Sequence, residues 1–288
     1  MQRGVVQRHL PGVLAKLAED LTKVRAALGA YDTADPTNGN LLEYINKHVT
    51  DINALPGMVT ILDSKPKLIE QLAIDMAARA EPPTAVNASH TASATDEVMN
   101  KGGGGFTAKD GTVYMLESTK DSSALYHELI HVLSGEGGVT QLSVTKTNLN
   151  EGFTNYFAEQ LARKYGKTVY TAYPVATTWV NDFVAKCTEN TAYNIYFKNN
   201  EALLYSTLAG RLKTKVQAAK TVFDKPESKA LKESNGVKRT DLGAFYTGAT
   251  IKDDAVLAAA VKKKIQEAYF MDAGEPSIAW LKRLCIDD

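Results

Sequence analysis

His127-Glu128-Leu129-Ile130-His131 places two imidazoles four residues apart, with a carboxylate next to the first. On a helix, residues i and i+4 share a face, so both rings can address one point. Imidazole nitrogens hold zinc, and zinc brings the pKa of a coordinated water down to about 7. Glu128 is then placed to take a proton from that water, which is the chemistry of hydrolysis by an activated nucleophile. The helix itself is predicted by Leu125, Leu129, Val132 and Leu133, whose spacing makes one apolar face, and by Asp121, Ser122 and Ser123, any of which can cap its start. At this histidine content the five-residue pattern arises by chance in roughly one such chain in 200, so a second feature has to agree with it.

A zinc site of this kind needs a third ligand. The chain has five histidines and none follows His131; His9, His48 and His90 all lie well upstream. The metzincin pattern would require Gly at 134 and His at 137, where Ser134 and Gly137 stand, so that class is excluded. A downstream carboxylate must close the site. Glu136 is too near His131 and sits among glycines, and Glu159 lies two turns beyond the better choice on the same predicted helix. That choice is Glu151, in Asn150-Glu151-Gly152-Phe153, with nineteen residues between it and His131. The loop is long enough for a second helix to return a carboxylate to the first. The competing reading is a solvated carboxylate favoured by the helix dipole in a first turn.

HExxH followed at this distance by Asn-Glu-Gly-Phe resembles the gluzincin clan of zinc metallopeptidases, over roughly residues 102 to 212. The resemblance implies Zn²⁺ held by His127, His131 and Glu151, Glu128 as general base, and cleavage of peptide bonds in a peptide or protein substrate. Asn155, one turn after Glu151, is placed to orient a ligand, where many gluzincins carry an acidic residue. An oxyanion donor is also required. With no downstream histidine the thermolysin-type donor is missing, which leaves tyrosine, and Tyr193, Tyr196 and Tyr205 lie on one predicted helical stretch. Tyr196-Phe197-Lys198-Asn199 is similar to the Tyr-x-Lys-Gly segment of aminopeptidase-like gluzincins, with Asn199 in place of the glycine. Tyr196 is therefore the first choice, with the other two kept open and a packed core tyrosine as the alternative to all three. The Gly-x-Met-Glu-Asn motif that grips a free amine is absent, and no acidic residue occurs in 102–108, which favours endopeptidase over aminopeptidase action.

The elements that must position these groups are predicted as an α+β, mainly helical fold of zincin type. It comprises a helical N-terminal extension (1–54), a subdomain with a small mixed sheet and the HExxH helix (55–138), and a helical C-terminal subdomain with the third ligand (139–288). A short strand over 58–62, a helix over 65–80 and a second short strand over 84–88 are expected, then loop over 89–97. Asp110-Gly111 between extended runs predicts a hairpin within Gly102–Leu116, which the resemblance suggests is the edge to which substrate adds as a further strand. The four-glycine run at 102–105 lacks the Lys-Ser/Thr ending of a phosphate loop and opens no predicted helix. Beyond Asp121 helices are expected almost to the end, at roughly 122–134, 149–165, 175–187, 193–212, 254–270 and 276–285.

Composition narrows the partners. The 288 residues carry 33 basic and 33 acidic side chains and are 44% hydrophobic, which gives no electrostatic reason to expect nucleic acid or an anionic membrane. No apolar run approaches the roughly 20 residues that span a bilayer, and the N-terminus lacks the apolar core of a signal peptide. The expected location is the cytoplasm, or outside by a route the sequence does not advertise. Asn87-Ala88-Ser89 matches a glycosylation sequon, which carries little weight without a secretory signal. Cys187 and Cys285 are expected as free thiols rather than a disulfide. The alternative to a general peptidase is a zincin-fold sensor or regulator, or an injected effector protease with one target.

Overall fold

The computed structural model describes residues 59–80, 82–110, 112–134, 148–164, 166–170, 173–197, 200–267 and 277–287. The N-terminal extension over 1–54 lies outside them, as do Glu136, Lys198 and Asn199. The chain is mainly helical with a small mixed sheet, and it divides into two compact units, Met1–Thr140 with Phe157–Thr171, and Gln141–Tyr156 with Ala172–Asp288. Among the described residues no helix is long and apolar enough to cross a membrane.

In the first unit β1 (Val59–Leu62) leads into α1 (Lys65–Arg79), whose first turn contains Pro66, where a missing N–H costs nothing. After α2 (Ala88–Thr95) and a π-helical turn at Asp96–Asn100 come β2 (Gly105–Thr107) and β3 (Val113–Leu116), then α3 (Ser123–Ser134). The sheet order is β1-β3-β2, with β1 parallel to β3 and β2 antiparallel to it in the register Phe106↔Tyr114. The predicted hairpin is present and β2 is an edge strand, with Phe106 and Tyr114 stacked at 5.1 Å between ring centres. Leu62, Leu68, Leu72, Ala73, Ala94, Val98 and Leu116 bury together beneath it.

The segment after α1 corrects the prediction. Residues 84–87 form no strand, and the stretch expected as loop is helix from Ala88 onward. Asn87 caps that helix: its Oδ1 accepts from the His90 N–H at 3.1 Å, while His90 Nδ1 accepts from the Asn87 N–H at 3.3 Å. This is a capping box with histidine in the usual Glu/Gln place. Thr91 and Thr95 then return their hydroxyls to carbonyls four residues back, so polar residues that favour loops are satisfied inside the helix.

α4 (Asn148–Lys164) follows. The second unit continues with α5 (Pro174–Cys187), α6 (Glu189–Phe197) and α7 (Glu201–Phe223). The single helix expected over 193–212 is two helices, because Asn200 accepts the Leu203 N–H at 2.9 Å and starts a new one. Nor is the rest uniformly helical. Two hairpins intervene, β4 (Glu233–Ser234) with β5 (Val237–Lys238), and β6 (Tyr246–Thr247) with β7 (Thr250–Ile251), separated by the short α8 (Leu242–Phe245). In the first, Asn235 (φ 49°) and Gly236 (φ 71°) make the left-handed pair of a type I′ turn. α9 (Asp254–Glu267) follows and packs on α7, burying Leu257, Val261 and Ile265, whereas Val256 is exposed.

The core of this unit is aromatic. Phe153 meets Trp179 and Phe183 edge-on at 6.4 and 6.0 Å and stacks on Tyr196 at 6.1 Å. The chain end is held by α7: Arg211 donates to the carbonyls of Cys285 and Ile286, and Lys215 to those of Arg283 and Asp287. Both cysteines are free thiols, Cys285 buried and Cys187 partly so.

Candidate metal centre

α3 begins where its sequence places a cap. Ser122 Oγ accepts the Ala124 N–H at 3.2 Å, and the Ser123 N–H donates to the Thr168 carbonyl at 2.8 Å. Leu125, Tyr126, Leu129 and Ile130 are buried and fix the rotation of the helix. Periodicity then brings His127 and His131 onto one face, both 7% exposed, with their rings edge to face and 4.7 Å between centres. Their Nε2 atoms are 3.0 Å apart.

Glu151 lies in the first turn of α4 and is half-buried. One ligand atom from each of His127, His131 and Glu151 falls within 4.8 Å of the other two. Two imidazoles and a carboxylate are the donor set of a three-ligand zinc site that keeps its fourth position open. Metal–ligand bonds of about 2.0–2.1 Å imply tetrahedral donors about 3.4 Å apart, so adjustments of an ångström or so in side chains would seat an ion. The residues fit zinc.

Glu128, 8% exposed, has a defined partner on the hairpin. Thr107 Oγ1 lies 2.8 Å from Glu128 Oε2 and 3.1 Å from the Glu128 backbone carbonyl oxygen. Sequence reasoning missed this threonine. Nothing in the local pattern marks it, because the contact spans 21 residues and depends on how the hairpin lies against α3.

The remaining sequence-level choices are placed as follows. Asn155 Nδ2 donates to Thr177 Oγ1 at 3.0 Å, and Glu159 takes the Arg163 guanidinium at 2.6 Å. The Tyr196 hydroxyl lies 2.5 Å from Thr154 Oγ1, one turn beyond Glu151 on the same helix, with its ring 1% exposed. Tyr193 is fully buried against Phe197. Tyr205 donates its hydroxyl to Glu201 at 3.0 Å; burial, with the Glu201 charge adding to it, pushes the phenol well above its ordinary pKa.

Gly152, next to Glu151, has a packing reason. A Cβ there would stand 2.8 Å from the Ala176 carbonyl oxygen and 2.9 Å from both the Ala176 carbonyl carbon and its Cβ. The bare backbone of α4 is what lets α5 approach this closely.

Comparison with family models, with curated proteins and with solved structures finds no match for this chain.

Proposed function

We propose that the protein is a zinc-dependent metallopeptidase of gluzincin type, acting as an endopeptidase on peptide or protein substrates. The observation that carries this reading is the approach of His127, His131 and Glu151 to within 4.8 Å of one another, with Glu128 in the HExxH position between the two histidines. When bound, the ion supplies Lewis acidity, lowering the pKa of a coordinated water and polarising a carbonyl oxygen. Glu128 takes the proton of the attacking water as the C–O bond forms. It returns that proton to the leaving amine as the C–N bond breaks. Its burial keeps the carboxylate in a medium where such transfers are less screened than in water.

The experiment is metal analysis with a peptide-library digest of the wild type, His131→Ala and Glu151→Gln. About one zinc per wild-type chain, with at least a 100-fold weaker affinity in each variant, is expected, since even outer partners of zinc ligands are worth 10–100-fold. Wild-type protein that does not take up zinc removes the reading. Zinc uptake without any cleavage points instead to a sensor or binding protein.

Tyr196 is the oxyanion donor in this proposal, exchanging Thr154 for the substrate oxygen. Tyr196→Phe is then expected to keep its zinc and lose about 10²–10³-fold in kcat. Unchanged kcat with stability lowered by about 1 kcal/mol, the worth of one buried hydrogen bond, would confine Tyr196 to the aromatic core.

A further inference from the structure

A set of contacts outside the metal-binding group converges on Glu128. Thr107 ends the edge strand β2, and the next N–H, that of Ala108, closes the hairpin onto Thr112 O at 2.7 Å. The Thr107 carbonyl accepts from Arg79 Nη2 at 2.9 Å. The same guanidinium donates through Nε to Asp75 Oδ2 at 2.5 Å, and the other oxygen of that carboxylate accepts the Lys109 N–H at 2.7 Å. Asp75 is 8% exposed, so this is a buried acid with both oxygens engaged. One carboxylate on α1 thus holds the backbone on both sides of Ala108, through Arg79 at Thr107 and directly at Lys109. The hydroxyl that projects from this fixed point reaches Glu128.

We propose that Thr107 is a positioning residue for Glu128, and that Asp75 and Arg79 act through it by fixing the strand that carries its hydroxyl. The catalytic consequence rests on the metallopeptidase reading; the contact does not. A glutamate carboxylate swings on three torsions, and a general base must sit within hydrogen-bond reach of the proton it takes. The hydroxyl has one proton and two acceptors here, and the closer is the carboxylate, which makes the stronger, charge-assisted bond. Because a hydroxyl also accepts, the contact survives when the carboxyl holds the proton from water. The threonine then turns its own hydrogen to the Glu128 carbonyl. An ordinary i,i+4 pair such as Asp75–Arg79 is worth little by itself. Here a second N–H of the same guanidinium reaches 28 residues along the chain to the carbonyl of Thr107, whose hydroxyl bonds Glu128.

The test compares Thr107→Val, which removes the hydroxyl at nearly constant shape, with Thr107→Ser, which restores it. Valine is expected to keep full zinc content, lower kcat about 10–100-fold and leave KM within about twofold, while serine recovers most of the loss. Arg79→Gln should lower kcat in the wild type and add nothing in the Thr107→Val background, because residues acting through one contact are not additive. A readout independent of turnover is the urea midpoint of Thr107→Val in the wild type and in Glu128→Ala; a smaller drop in the second background is expected. Equal drops overturn the contact whether or not the protein hydrolyses anything. Unchanged kcat in Thr107→Val, with an active wild type, overturns the positioning role. Smaller drops with an inactive wild type leave the contact standing and remove the peptidase reading instead.

Discussion

Glu128→Gln is expected to retain about one zinc per chain and to lose about 10²–10⁴-fold in kcat, the usual worth of a general base. Glutamine has nearly the same shape, and its amide oxygen can still accept from Thr107 Oγ1, which now stands 2.8 Å from Oε2. Helix α3 and its buried face stay as they are, and neither imidazole is touched. What disappears is the capacity to take a proton. Measuring metal content and kcat on the same preparation, against a fluorogenic peptide cleaved by the wild type, separates loss of chemistry from loss of the ion. Unchanged turnover would mean that the base is another group. Lost zinc would mean that Glu128 supports the fold of the site rather than the reaction.

The second large effect is structural. Replacing glycine by alanine inside a helix ordinarily stabilises by about 0.5–1 kcal/mol. At Gly152 the sign should reverse, because the new Cβ would lie 2.8 Å from a backbone oxygen and 2.9 Å from a backbone carbon of Ala176, neither of which can swing aside. Overpacking of this kind costs about 1–3 kcal/mol, so Gly152→Ala should lower Tm by several degrees. Glu151 is the adjacent residue, and α4 can relieve the clash only by shifting or turning, so zinc affinity should fall as well. Gly210 is the matched control. It lies within α7 with open space where a Cβ would stand, and alanine there should raise stability by about 0.5–1 kcal/mol. Calorimetry on the two variants with a zinc titration of the first decides the matter; equal and positive shifts would dismiss the close approach.

These contrasts show which parts of the molecule could be read from its sequence. The face shared by His127 and His131 is a consequence of helical periodicity, a local property, and α3 has the predicted bounds to within a residue. Glu151 was reachable through the Asn-Glu-Gly-Phe segment once downstream histidines were excluded. The hairpin of β2 and β3 followed from Asp110-Gly111. Other local signals were present and misread: Asn87 starts a capping box where a strand and then a loop were expected, and Asn235-Gly236 announced a hairpin inside a region expected to be helical. Asn200 broke a helix that apolar periodicity alone had run together. Thr107, Arg79 and Asp75 were out of reach for a different reason. Their relation to Glu128 is set by the packing of α1, the hairpin and α3, and no spacing rule encodes it.

The contact between Gly152 and Ala176 also bears on where the chain can change length over evolutionary time. Successive residues on a helix point about 100° apart, so the glycine that rests on α5 acts as a rotational stop and aims its neighbour Glu151 in a fixed direction. Inserting one residue between them would swing the carboxylate by that full angle. An insertion or deletion before Asn148 lies ahead of this stop and leaves the aim intact. Insertions and deletions should therefore accumulate ahead of α4 and be purged from its first two turns.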